Sequence, residues 1–161
     1  MICVCPLRCL GEGITDPWYV CAFIRKNITM SRAYSDIAFT PAVRAVQTRM
    51  GSRRNYEAFD RDENRYDRLS SREAEFIAAR DGFYQATVNE NGWPYVQFRG
   101  GPAGFLKVLD DKTLGYADFR GNVQYISVGN FAQDGRVALI LMDYAQRRRL
   151  KIWGRAQLID A

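Results

Sequence analysis

Apolar residues change their spacing along this chain of 161 residues, and the change divides it into segments. Val43, Val46 and Met50 recur at helical intervals behind Thr40 and Pro41, with Gly51 just beyond, so the pattern predicts a helix over 41–50 with an N-cap and a proline at its first position. Ser70 or Ser71 caps a second helix through Arg80, with Ala74, Ile77 and Ala78 on one face and Asp81-Gly82 ending it. From Phe83 the period becomes two. Phe83–Val88 reads as a strand, Asn89-Glu90-Asn91-Gly92 as a hairpin turn whose glycine supplies a positive φ, and Trp93–Phe98 as the returning strand. Phe105–Leu109 and Leu114–Phe119 flank another polar turn at Asp110-Asp111-Lys112. Asn122–Asn130 reads as a short helix with Val123, Ile126 and Val128 partly buried. Arg136–Tyr144 is apolar enough to be buried on both faces, and Arg149–Ile159 is the last strand. The expected fold is mainly β with flanking helices: six antiparallel strands forming a small barrel.

Residues 1–29 stand apart from this pattern. Gly11, Gly13 and Asp16-Pro17 break any helix, and Pro6 and Arg8 interrupt the short apolar run, so a secretory signal is not expected. Met30 opens a stretch of ordinary soluble character. The chain divides into a dispensable extension (1–29), a helical and charged leading arm (30–82) and the barrel (83–161). Because a barrel of this kind needs something further to cover its open side, a C-terminal portion beyond Ala161 is expected.

Composition narrows the chemistry. A net charge of +5 suits an anionic ligand. The most charged stretch, 52–68, interleaves acids with bases, which is the pattern of a solvated segment and not of a nucleic-acid surface. Tyr56, Phe59 and Tyr66 are the residues that would pin that arm to the domain. With no histidine in the chain, Ser-His-Asp and Cys-His catalysis and a histidine base are excluded, and no metal site is assigned. All four cysteines (Cys3, Cys5, Cys9, Cys21) fall in the extension, so the body has no disulfide, which fits a cytoplasmic protein. No apolar run is long enough to cross a membrane.

Candidate chemistry concentrates between Tyr95 and Asn130. Arg99 enters a glycine-rich bend ending at Gly104, and glycines there allow a backbone to approach a flat or charged ligand. Arg120-Gly121-Asn122 precedes the short predicted helix, where a cation and free backbone N–H groups suit a phosphate. Arg147-Arg148-Arg149 and Asp143-Tyr144 are weaker candidates, a solvated turn and a strand end. The bland alternative for Arg99 is an ion pair with Asp118 or Glu90.

The ordered segments Phe83–Val88, Gly92–Leu109, Tyr116–Asn130, Met142–Tyr144 and Arg147–Ala156 together resemble the pyridoxamine 5′-phosphate oxidase-related family of FMN-binding split barrels, in its flavin-nucleotide-binding branch. The likeness spans 31–161. It implies a six-stranded antiparallel split barrel and a homodimer with FMN between two barrels. By position it implies Arg99, Gly100 and Gly101 against the flavin ring, and Tyr116, Ala117 and Asp118 along the ring or ribityl chain. Arg120, Asn122 and Gln124 fall at the phosphate, Lys107 near the family's basic residue on the adjacent strand, and Trp153 where a partner subunit contributes. A guanidinium beside the electron-rich edge of reduced flavin would raise its reduction potential, the role implied for Arg99. The implied activity is hydride transfer at flavin N5 with a small-molecule substrate, with no catalytic side chain assigned. The Arg-x-His pair that the vitamin B6 oxidase applies to its substrate has no counterpart here, since the chain lacks histidine. Three alternatives stay open: a non-catalytic flavin carrier or sensor, a relative holding a deazaflavin or haem in place of FMN, and an oligonucleotide-binding barrel.

Overall fold

The computed structural model of the protein describes residues 20–25, 34–57, 68–119 and 121–160. Seven strands form one antiparallel sheet: β1 (Val20–Arg25), β2 (Gly82–Val88), β3 (Pro94–Gly100), β4 (Lys107–Asp110), β5 (Thr113–Asp118), β6 (Arg136–Asp143) and β7 (Arg148–Asp160). Their order is β3-β2-β6-β7-β1-β5-β4. Among the described residues no ladder joins β3 to β4, so the sheet is open and not a closed barrel. The helices are α1 (Tyr34–Ala38), α2 (Pro41–Arg49), α3 (Ser71–Ala78) and α4 (Ile126–Gln133), with a short 3-10 turn at Arg53–Tyr56. No helix among the described residues is long and apolar enough to cross a membrane.

All six expected strands are present, and local chemistry explains them. In the β2–β3 hairpin Gly92 takes φ 83°, and the Asn89 side chain accepts hydrogen bonds from the N–H groups of Asn91 (3.0 Å) and Trp93 (2.9 Å). At the β4–β5 turn the Lys112 N–H donates to the Asp110 carboxylate at 2.7 Å. Upstream, Glu73 accepts from the Ser70 N–H at 2.9 Å, the reciprocal half of a capping box that starts α3. Thr40 caps α2 as expected, its hydroxyl oxygen accepting from the Val43 N–H at 3.3 Å.

The seventh strand is the first correction. Residues 1–29 read as an extension, yet Val20–Arg25 is inserted in the sheet, paired with β5 from Val20↔Asp118 to Arg25↔Thr113 and with β7 from Val20↔Asp160 to Arg25↔Arg155. The run Val20-Cys-Ala-Phe-Ile24 has strand composition, and the breakers before it mask that signal. Cys3, Cys5 and Cys9 lie outside the described residues, as do Phe59 and Tyr66. Tyr56 packs edge-on against Phe39, with ring centroids 5.5 Å apart, inside the leading arm.

Two further expectations shift. The short helix begins at Ile126, not Asn122, because Val123 and Tyr125 hold left-handed backbone (φ 54° and 52°) that an α-helix excludes. Its buried residues are Ser127, Asn130 and Phe131, while Val123 and Ile126 are exposed. Nor is β6 buried on both faces: Val137, Leu139, Leu141 and Asp143 face the core, whereas Ala138, Ile140 and Met142 are half-buried on the outer face. The α2 stripe of Val43, Val46 and Met50 is exposed.

The core lies between the inner sheet face and helices α3 and α4. Ile77, Phe83, Leu106, Leu114, Phe131, Val137, Leu139, Leu141 and Ile152 fill it. At one end Arg80 and Arg148 both approach Asp143 Oδ2, at 3.2 and 3.3 Å, and Arg80 also lies over the Phe76 ring at 4.9 Å. This ties α3 to the β6–β7 hairpin.

Leu141 is completely buried at the centre of β6. Leu141→Ala is expected to destabilise the protein by about 2–5 kcal/mol, through lost transfer energy and the cavity left behind. Urea denaturation measures this directly, and a loss below about 1 kcal/mol would contradict the core position.

Candidate functional site

β3 is an edge strand that alternates cleanly. Tyr95, Gln97 and Arg99 turn inward, and Val96, Phe98 and Gly100 turn outward. Its register sets Arg99 opposite Phe83 and Gln97 opposite Gln85 on β2. On β5 the inward residues are Leu114, Tyr116 and Asp118. Among the described residues no ladder pairs β3 directly with β5, yet their side chains meet.

The meeting is polar and buried. Arg99 Nη1 forms an ion pair with Asp118 Oδ1, with the two side chains only 13% and 12% exposed. One strand pair over, the Tyr116 hydroxyl donates to Gln85 Oε1 at 2.5 Å. Phe83 lies between, stacked on Phe105 (5.5 Å, 11°) and edge-on to Tyr116 (5.2 Å, 76°). Helix α4 adds two contacts to the same layer: Asn130 Nδ2 donates to Thr87 Oγ1 at 2.8 Å, and Ser127 Oγ to Gln97 Oε1 at 3.3 Å.

Burial dominates the electrostatics here. It pushes the Tyr116 hydroxyl up to about 12; the Arg99 guanidinium opposes that shift and Asp118 adds to it. Burial likewise raises the Asp118 carboxyl above its ordinary value, against the downward pull of Arg99. Two buried donors, Arg99 Nε and Gln85 Nε2, have no hydrogen-bond partner among the described residues. Unpaired buried donors are costly, and their presence in one layer marks a place that an acceptor would stabilise.

Of the residues expected at the site, Arg99, Tyr116 and Asp118 come together here. Arg99 has the Asp118 partner of the bland alternative, but in the interior and not on the surface. Gly100 and Gly101 have an internal reason to be glycine. A Cβ at Gly100 would meet the Phe98 ring at 2.9 Å, and one at Gly101 the Phe105 ring at 2.8 Å. Lys107 is exposed, and its pairing with Gly115 puts it on the face opposite Tyr116 and Asp118, which Ala117 shares. Trp153 pairs in register with Ala138 on the outer face, half-buried.

Arg120 lies outside the described residues. Around it, Phe119, Gly121, Asn122, Val123, Gln124 and Tyr125 are exposed. Asn122 Oδ1 accepts from the Gln124 N–H at 3.3 Å, and Val123 and Tyr125 hold left-handed backbone. Left-handed conformation is costly for a β-branched residue such as Val123. In the arginine turn, Arg148 pairs with Asp143, and Tyr144 is exposed and hydrogen-bonded to Tyr84.

Gln85, Gln97, Thr87, Ser127 and Asn130 belong to this layer and were not expected there. The available signal was the spacing of Phe83, Gln85 and Thr87, which puts two polar residues on the same face as a large aromatic. That pattern alone does not make this face the inward one, because Tyr84, Ala86 and Val88 on the other face are the more apolar set.

Fold and site together define a mainly β domain whose open sheet is bridged by a buried polar layer with donors to spare. The sequence model described as pyridoxamine 5′-phosphate oxidase matches residues 69–161, more than half of the chain, so the protein belongs to that family, whose members commonly bind flavin. No curated protein and no solved structure matched the chain.

Tyr116 titrates near 12 in the folded protein against an ordinary 10.0, so it contributes stability that is complete below pH 10 and is lost as the pH rises through 12. A tyrosinate absorbance titration is expected to show a component near 12 that Tyr116→Phe lacks. That variant also strands the Gln85 carbonyl, at a cost of about 1–3 kcal/mol.

Proposed function

We propose that the protein is a cytoplasmic FMN-dependent oxidoreductase, folded as a split barrel and working as a homodimer, that moves a hydride between flavin N5 and a small-molecule substrate. The observation that carries this is the coincidence of family membership with a polar layer in which Arg99 Nε and Gln85 Nε2 lack acceptors. The oxygens and nitrogens of a flavin ring are acceptors of the kind such donors take. Bound flavin supplies the redox chemistry itself, at its N5 position.

The chain's own residues have three tasks in this reading. Arg99 and Tyr116 orient the ring system, with Asp118 and Gln85 holding them in place. Arg120, Asn122 and Gln124 take the phosphate. The exposure of the Asn122 and Gln124 side chains, close to Arg120 in the sequence, supports that choice, because a cation and amides open to solvent suit a dianion. Outward-facing Val96 (60% exposed) and Phe98 (57% exposed), with Tyr84 beside them, form an apolar patch on the β2–β3 edge, and such a patch supports a second subunit there.

Purified protein is expected to be yellow, or to quench FMN fluorescence stoichiometrically when titrated, and NAD(P)H or a substrate is expected to bleach the colour. Colourless material that fails to bind FMN would remove the reading, and colour that no donor bleaches would leave a carrier. Arg120→Ala is expected to weaken FMN binding by about 1.5–3 kcal/mol, the worth of a charge-assisted hydrogen bond, with an unchanged affinity removing the phosphate assignment. Val96→Glu is expected to convert a dimer to a monomer in sedimentation without lowering the urea midpoint of the fold.

A further inference from the structure

The Arg99–Asp118 pair bears directly on how a bound flavin would be tuned. Both side chains are about seven-eighths buried, and the contact runs directly from Nη1 to Oδ1. At its other edge the guanidinium keeps one buried N–H, at Nε, with no partner among the described residues. A lone guanidinium in such an interior would favour any group that gains negative charge beside it. A carboxylate in contact with it cancels most of that field beyond the pair's own dimensions, because the field of a dipole falls off faster than that of a charge. What remains for a ligand is mainly a positioned N–H donor.

We propose that Asp118 is a positioning and charge-balancing residue: it holds Arg99 and neutralises it, so that Arg99 meets the flavin as a hydrogen-bond donor and not as a net cation. This rests on the FMN reading and goes beyond it, since it reverses the simplest expectation for Arg99. An arginine beside the ring, taken alone, raises the reduction potential; paired in this way, it leaves the potential close to that of a neutral site.

The test is a charge cycle read by the midpoint potential of bound FMN, from reductive titration against a reference dye, with fluorescence titration of FMN affinity alongside. Asp118→Asn is nearly isosteric and keeps an amide oxygen for Arg99 while removing the carboxylate charge. It is expected to strengthen binding of reduced over oxidised flavin by about tenfold, a rise of about 30 mV for a two-electron couple. The double variant Arg99→Gln/Asp118→Asn carries neither charge and is expected to match the wild-type affinity ratio within about threefold, because the wild-type pair is already balanced.

Should Asp118→Asn fail to fold, the double variant decides alone. A tenfold fall in its affinity ratio would mean that Arg99 acts as an uncompensated cation, and would overturn the proposal. An unchanged or lowered potential in folded, FMN-loaded Asp118→Asn would overturn it equally. If wild-type protein binds no FMN, the functional reading and this proposal fall together. If FMN binds and only the potentials disagree, the functional reading stands and the charge-balance proposal alone is lost.

Discussion

The structure depends on one contact that its hydrogen-bonded ladders do not provide. In the strand order the sheet begins at β3 and ends at β4, and no ladder brings those ends together among the described residues. Across that gap the Arg99–Asp118 pair ties β3 to β5, the neighbour of β4, with Tyr116–Gln85 and the Phe83 stack beside it. A buried ion pair is not a cheap way to join two elements, because both ions lose their hydration. The raised Asp118 carboxyl records that cost: burial outweighs the attraction of the arginine. Such a pair is better suited to fixing one arrangement of strands than to adding stability. Removing either partner alone would leave an uncompensated buried charge.

The same contact makes the interior polar. A core of Leu, Ile and Phe would offer nothing to a polar ligand. Here the layer between β2–β3, β5 and α4 contains an arginine, an aspartate, a tyrosine and two glutamines, each tied to a partner on another element. Two donor nitrogens in this layer, Arg99 Nε and Gln85 Nε2, have no partner among the described residues. Groups held this way are preorganised, since their rotamers are set by partners before any ligand arrives. The exposed residues Phe119 and 121–125 follow β5, next in the chain to Asp118.

Individual elements show how much could be read in advance. The β2–β3 hairpin was legible because Asn-Gly at a two-strand turn has a specific backbone requirement that few other sequences meet. α3 was legible from its capping box, and the pairing of Arg99 with Asp118 was among the alternatives open to that arginine. β1 was not legible as part of the sheet, because nothing local says that a strand from an irregular leading segment inserts between β5 and β7. The start of α4 was misplaced by several residues because Val123 and Tyr125 adopt backbone that propensity disfavours. The spacing of Val43, Val46 and Met50 showed the α2 helix but not that the stripe is exposed: helical periodicity says that a face is apolar, not that something covers it.

By itself, the sequence determined the strand periods, the turns, the caps and the family, because each is written in neighbouring residues or in their order. It also excluded histidine chemistry outright. Tertiary structure alone decided which face of β2 and β3 is inward, that Arg99 finds Asp118 across an unladdered gap, and that Lys107 and Trp153 lie on the other side of the sheet from both. The physical reason is the two-residue period of a strand. It separates side chains into two sets with certainty but carries no information about which set the rest of the chain will cover.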